Sequence, residues 1–453
     1  MLPCALLLLL FLAALVPAAI FLPRVLAPIA ALERFFSLTV AVFTANKPLP
    51  AENKARRLLL LLALPWLGGI FCLCLKAHTP MPERSTSRFF DDDVANAVSA
   101  ISHRGSCFCE SAEYFPDGRN MFERLLLDLK GAKKEILLDY YILARGKFFD
   151  SVLAILERKT QDGLQINIVY DDFGCAASLP KNFAKTLRAK GISATIFHPL
   201  KAFPIGKLNR RDHRKIAVID RKIAYTGGIN LADEYIGEKI RFGHWKDSAV
   251  RLTGVAAERF ADLFFEKESA DSALGSGFPC VVFGDRADRS TRVGEEIFFK
   301  LISCAAERIF ITTPYLAPSE KISAALRSAA RAGIDVRLFI PHIPDKKAVF
   351  ALTRSFAREL SAYGVKVREY TAGFLHAKSL VCDGKYAVVG SYNLDERSLH
   401  MQAECGVFLR NETLAFDIER DFIACWETGS PVPKATFKEK LTAFFLRLFL
   451  PLI

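Results

Sequence analysis

The sequence lacks any cysteine pattern. Eleven cysteines are scattered over 453 residues, and an odd number cannot all pair within one chain. No spacing repeats among them, which excludes a disulfide framework, and Cys107 and Cys109 have no second pair at zinc-ligand spacing. The chain also lacks the composition of a disordered polypeptide, because only 24% of its residues are charged while 51% are hydrophobic. Acidic residues are outnumbered, 49 against 61 Lys and Arg, for a formal charge of +12. That surplus suits a phosphate-rich partner, nucleic acid or anionic lipid, and equally a solvated basic surface; charge alone does not separate these. The length excludes a single small domain and leaves room for an apolar anchor plus two domains with cores of their own.

No basic residue precedes the first apolar run. Residues 5–22 are apolar throughout, interrupted by Pro17, and a cleaved leader needs a charged start. Ala18 and Ala19 are small enough for a cleavage site, but the length predicts a membrane-spanning helix. A second uncharged stretch, LLLLLALPWLGGIFCLCL at 58–75, follows Arg56 and Arg57 and precedes Lys76. Two such spans make a helical hairpin, with residues 1–84 as the membrane anchor. Arg24, Arg34, Lys47, Lys54, Arg56 and Arg57 lie between the spans, and Lys76, Arg84 and Arg88 follow the second. The first group favours a cytoplasmic connector and the second opposes it, so the side facing the remaining chain stays open. At the other end, 431–453 forms a basic amphipathic segment. Lys434, Lys438, Lys440 and Arg447 mix with Phe437, Leu441, Phe444, Phe445 and Leu448 at helical spacing. A helix on a membrane surface and a terminal helix packed on the domain both fit this pattern.

Between these ends the chain contains one unit twice. KKEILLDYYIL at 133–143 parallels ERIFITTPYLA at 307–317, each a buried strand preceded by a helix. GLQINIVYDDFG at 163–174 then parallels GIDVRLFIPHIPD at 333–345, and GISATIFHPL at 191–200 parallels GVKVREYTAG at 364–373. Each unit ends alike, in HRKIAVIDRKIAYTGGIN from His213 to Asn230 and HAKSLVCDGKYAVVGSYN from His376 to Asn393. Both read H-x-K-x4-D-x6-G-x2-N. Period-two alternation points His213 with Lys215, and His376 with Lys378, to one side of a strand. Asp220 and Asp383 then open a turn into a returning strand whose glycine-containing end comes back beside the histidine. One such motif arises by accident in a chain of this size; two with identical internal spacing, each closing the same succession of elements, do not.

The doubled motif resembles the signature of the phospholipase D superfamily, over about residues 85–430. Four further stretches are similar to the bacterial cardiolipin synthases within it: GGINLADEYIG, FGHWKDSAVRLTG, ITTPYLAPSE and GSYNLDERSLHMQAECGVF. The resemblance implies an α/β protein: an N-terminal transmembrane helical hairpin, then two phospholipase D-type α/β sandwich domains, 85–275 and 276–430, related by pseudo-twofold symmetry. The motifs meet at their interface in one active site. It also implies a multi-pass protein of the bacterial inner membrane.

The residue types suit phosphodiester chemistry. Its negative charge repels nucleophiles, so cations and donors must surround the non-bridging oxygens. Lys215, Lys378, Asn230 and Asn393 supply them, with Ser391 as a further donor. One neutral histidine attacks phosphorus while the other, protonated, hands its proton to the leaving alcohol. By analogy with the family His213 is the nucleophile and His376 the acid and then base, although the roles can be exchanged. Asp247 and Glu404 resemble the family's histidine-orienting carboxylates, with a solvated surface position as the alternative for each. Asp220 and Asp383 belong to the catalytic motif, where organising the turn suits them better than proton transfer. Lysines and histidinium supply the charge a metal ion would, so neither metal nor cofactor is expected.

The activity so implied is phosphatidyl transfer from one phosphatidylglycerol to another, through a phosphatidyl-histidine, with release of glycerol. Phosphatidylglycerol, other anionic phospholipids and the membrane are the expected partners. Hydrolytic phospholipase D, with water as acceptor, fits the same motifs. A nucleic-acid phosphodiesterase fits the charge but not the spans, and no nucleic acid is expected. A non-catalytic scaffold is disfavoured because both histidines, both lysines and both asparagines are present.

Overall fold

In the computed structural model, which describes residues 23–46, 51–74, 89–200, 209–267, 271, 276–287, 292–448 and 450, the first helix among the described residues is Pro23–Asn46. Its stretch Pro28–Asn46 is long and apolar enough to cross a membrane. Sequence reasoning took this region for a charged connector; between Pro28 and Asn46, however, only Glu33 and Arg34 are charged. The expected first span, 5–22, lies outside the described residues. The expected second span is broken into Ala51–Ala63 and Pro65–Cys74, of 13 and 10 residues. Proline has no N–H to give and clashes with the carbonyl four residues back, so it starts a new helix instead of continuing the old one. Among the described residues, one helix therefore has spanning length where two were expected. Phe36 stacks on Trp66 at 5.0 Å, and Val40, Leu61 and Cys72 bury their side chains together.

The chain divides into two compact units, Met1–His78 and Thr79–Ile453. The larger unit holds two large sheets. In spatial order the seven-stranded sheet runs Ala112–Phe115, Ala249–Thr253, Ile223–Gly227, Lys215–Ile219, Glu135–Tyr140, Gln165–Asp171, Ser193–Phe197. The nine-stranded sheet has the same succession at its centre: Phe278–Asp285, Glu404–Arg410, Tyr386–Gly390, Ser379–Cys382, Arg308–Thr312, Asp335–Pro341, Lys366–Tyr370. Cys107–Cys109 and Ser430–Pro431 extend its edges. Every paired segment of the sequence repeat thus falls at the same place in the two sheets.

The sheets bury one face against each other, with Leu137, Ile216 and Val218 of the first in one cluster with Val381, Val389 and Val407 of the second. Central strands buried on both faces read as continuous apolar runs, as KIAVI and YAVVG do. Helices such as Gly118–Gly131 and Lys147–Gln161 cover the outer face of the first sheet. Val293–Cys304, Glu320–Arg331 and Lys347–Ser361 cover that of the second.

Two short pairings cross from one half to the other. His244–Lys246 runs parallel to Gly373–Leu375, and Asp212 bridges Ala403. Each crossing leads straight into a motif histidine, so the topology that joins the halves also delivers the site.

Candidate active site

Both motif turns are built alike. Asp220 and Arg221 have φ of 54° and 53°, and Asp383 and Gly384 have 52° and 63°. Two successive left-handed residues make the tight turn that matches strand twist. Asp220 accepts the backbone N–H groups of Lys133, Lys134 and Glu135 at 2.8, 2.6 and 3.0 Å. Asp383 accepts those of Ala306, Glu307 and Arg308 at 2.8, 2.8 and 2.9 Å. Burial opposes ionisation of Asp383, but these donors hold its carboxyl below the usual range. Neither aspartate lines the cavity described below. They tie the turn to the start of the neighbouring strand.

The histidines are fixed across the halves. His213 donates its backbone N–H to the carbonyl of Ala403 at 2.8 Å, and His376 donates to that of Lys246 at 2.7 Å. The next residues along are Glu404 and Asp247, and these are the ring partners. Nδ1 of His213 lies 3.0 and 3.1 Å from the Glu404 oxygens, and Nδ1 of His376 lies 2.6 Å from Oδ2 of Asp247. Both carboxylates are fully buried, which removes the solvated alternative. Each carboxylate serves the histidine of the other repeat, a crossing that the spacing along the chain does not reveal.

Gly228, inside the first motif, has no room for a side chain. A Cβ there would sit 2.1 Å from Oδ1 of Asp247 and 2.9 Å from the carbonyl of His376. Ser391 occupies the corresponding position in the second motif. Expected as a phosphate donor, Ser391 instead donates its hydroxyl hydrogen to Glu404, and Ser398 donates to the other oxygen at 2.5 Å.

Lys215 and Lys378 are buried, each donating to the carbonyl of its own motif histidine, His213 and His376. Burial pushes Lys215 down to about 8 and Lys378 to about 7. Burial, with Lys215 and Lys378 nearby, holds His213 well below the usual histidine range. Burial and Lys378 push His376 to about 4 although Asp247 pulls upward. The carboxylates diverge. Burial raises Glu404 well above its usual range against the pull of Lys215, whereas Asp247, despite burial, is held low by His376 and Lys378.

A cavity of about 740 Å³ contains both histidines. Asn230 and Asn393 line it; Lys215, Lys378 and Ser391 do not. Asn230 accepts from the N–H of Ile142 at 3.0 Å and donates to the Tyr235 hydroxyl at 2.7 Å. Oδ1 of Asn393 is buried without a hydrogen-bond partner among the described residues. Sequence reasoning missed Arg241, Lys346 and Arg397 in the wall, and also the aromatic lining. Tyr141 meets the His213 ring edge-on at 5.0 Å, while Tyr235 and Trp245 stand 5.5 Å from the His376 ring. Tyr141 and Tyr315 hold the same place in the repeat, a signal that could have found both. A second cavity, of about 680 Å³, shares Glu234, Tyr235 and Trp245 as wall.

The family described as cardiolipin synthase, PLD-like domain, matches residues 125–239 and 298–426, the two segments that carry these motifs. The chain belongs to that family. As a member of the cardiolipin synthase, PLD-like domain family it is a phosphatidyltransferase of the phospholipase D superfamily. An uncharacterized protein of Streptococcus mutans serotype c is 38% identical over 75% of this chain and 77% of its own length. Cardiolipin synthases of Alkalihalophilus pseudofirmus and Halalkalibacterium halodurans are 31% and 33% identical, over 75% and 74% of this chain and 70% and 69% of theirs. The crystal structure of phosphatidylserine synthase from Haemophilus influenzae Rd KW20 superposes with a TM-score of 0.61 at 12% identity, covering 79% of this chain and 97% of that one. At that identity the likeness concerns the fold.

Proposed function

We propose that this protein makes cardiolipin by moving a phosphatidyl group from one phosphatidylglycerol to another, with His213 as nucleophile and His376 as acid and then base. The observation that carries the reading is a single cavity holding both motif histidines, each oriented by a carboxylate of the opposite repeat. On this reading 85–275 and 276–430 are two pseudo-twofold-related domains sharing one site, and the N-terminal residues anchor them in the membrane.

His213 is neutral in the empty site, with its Nδ1 hydrogen directed to Glu404, so Nε2 is free to attack. The P–N bond forms as the P–O bond to the headgroup glycerol breaks, and the leaving oxygen takes a proton from His376. A bound phosphodiester anion favours charge on His376, and ionised Asp247 at 2.6 Å supports it. The raised Glu404 favours a neutral imidazole, which suits the nucleophile; this contrast supports the assignment of roles. In the second half, neutral His376 takes the proton of the incoming hydroxyl as that oxygen attacks phosphorus and the P–N bond breaks. Buried Lys215 and Lys378 bring positive charge beneath the histidines, and Asn230 and Asn393 line the cavity where the phosphoryl oxygens would bind. The second cavity, behind the shared wall of Glu234, Tyr235 and Trp245, offers room for a second headgroup and favours a lipid acceptor over water.

Full-length protein in detergent, incubated with phosphatidylglycerol and a chelator, is expected to yield cardiolipin and glycerol in equal amounts by mass spectrometry. His213→Ala and His376→Ala are each expected to abolish both products. Phosphatidic acid without cardiolipin would make it a hydrolase, and no histidine-dependent lipid turnover would overturn the reading.

A further inference from the structure

The helix Phe437–Leu448 has two unlike sides. One packs on the helix Lys347–Ser361: Arg447 donates to Glu359 at 2.7 Å and to Ser355 at 3.1 Å, and its guanidinium lies 4.3 Å over the Phe356 ring. Glu439 takes Arg354 at 3.2 Å and Arg358 at 3.3 Å, and Ala443 is buried. The other side carries Phe437, Leu441, Phe444 and Phe445, spaced i, i+4, i+7 and i+8, hence on one face. They are 80%, 47%, 63% and 53% exposed. Lys434, Lys438 and Lys440 are exposed beside them.

The charges are sorted between the two sides. Glu439 is the only acid between 434 and 448, and it is turned inward to two arginines; Arg447 is also turned inward. What remains outside is aromatic and cationic. A water-soluble surface does not keep three phenylalanines and a leucine on one helical face without a use for them, and a second protein surface would not call for cations alone. A bilayer bearing anionic headgroups matches both features, with rings in the acyl boundary and lysines among the phosphates.

We propose that this helix is a docking surface for an anionic membrane, lying in the bilayer plane with its aromatic stripe roughly 5–10 Å into the headgroup–acyl boundary. The two readings of 431–453 in the sequence are then the two faces of one helix. The helix beneath it reaches the active site, since Lys346 at its N-cap and Val349 in its first turn line the cavity with the histidines. Membrane contact and cavity wall thus share one rigid element. Resting on the phosphatidyltransferase reading, this contact sets the height of the cavity above the lipid that supplies its substrate.

The test uses the full-length chain in vesicles of phosphatidylcholine with phosphatidylglycerol. Phe444→Trp, and separately Phe437→Trp, adds a reporter on the stripe, read as the difference from the parent protein. Phospholipids brominated high on the acyl chain are expected to quench the added emission. Reversing Lys438 and Lys440 to glutamate, two charge units each, is expected to weaken insertion of the helix, read from the fraction of added emission quenched, about thirtyfold per lysine. Added emission indifferent to bromine at both positions overturns the proposal, and a stripe covered by protein would give that same result. Quenching that is equal in pure phosphatidylcholine and unmoved by lysine reversal also overturns it. None of these readouts needs turnover, so failure of this inference is separable from failure of the lipid-transfer reading.

Discussion

Glu404 collects hydrogens from His213, Ser391 and Ser398, whereas Asp247 faces His376 with the N–H of Ser248 as further support, 2.8 Å away. Because the carboxylates act through the histidines, Glu404→Gln and Asp247→Asn are predicted to lower kcat by about 10²–10⁴-fold with little change in KM. Ser391→Gly copies the first motif into the second and removes one hydrogen bond to Glu404, so kcat is predicted to fall about tenfold. A rise in KM for the donor lipid with unchanged kcat would instead make Ser391 a phosphate ligand. The lysines predict a pH effect. With Lys378 at about 7 and Lys215 at about 8, the free enzyme loses positive charge as pH rises through that window. kcat/KM, which reports the free enzyme, is predicted to decline above it, while the limb in kcat lies at higher pH because a bound phosphodiester anion favours both ammonium forms. Coincident limbs, or a flat kcat/KM profile across this window, would contradict the burial argument. At this scale the motif residues were legible from their doubled spacing. The crossed pairing was not, because it depends on which strand edge meets which. Arg241, Lys346 and Arg397 carry no repeat signature that would single them out.

At the scale of elements, strands and turns followed the sequence closely because their signals are local. Glycine closes helices at Gly163 and Gly333, and the apolar runs that follow become strands. The turn aspartates are predicted to matter for stability more than for chemistry. Asp383→Ala removes three acceptor contacts and leaves an alanine at positive φ, for a loss of about 2–3 kcal/mol in chemical denaturation. Asp383→Asn, which tolerates that backbone, should lose less, and KM should hold in both. The second expected span differs from the structure for an equally local reason. Hydropathy counts residues and ignores that Pro65 cuts a helix, so 58–75 was taken as one span; the sparse charges of 28–46 were counted as a connector. The final helix was readable as amphipathic, but which charges turn inward depends on the arginines of Lys347–Ser361, about 80 residues away in sequence.

At the scale of the whole molecule, one repeat folded twice leaves each half with a histidine it cannot orient alone. Asp247 belongs to the first half and holds the second half's histidine, and Glu404 does the reverse. The central claim is that His213 carries the phosphatidyl group between donor and acceptor. An activated donor, phosphatidyl-p-nitrophenol, needs no proton from His376 because its leaving group departs as an anion. In His376→Asn it should therefore form an adduct that no base helps an acceptor to remove. Peptide mapping by mass spectrometry is predicted to find the phosphatidyl group on His213, and none on His376 in His213→Asn. An adduct on His376 in His213→Asn, with none on His213 in the other variant, would contradict the account.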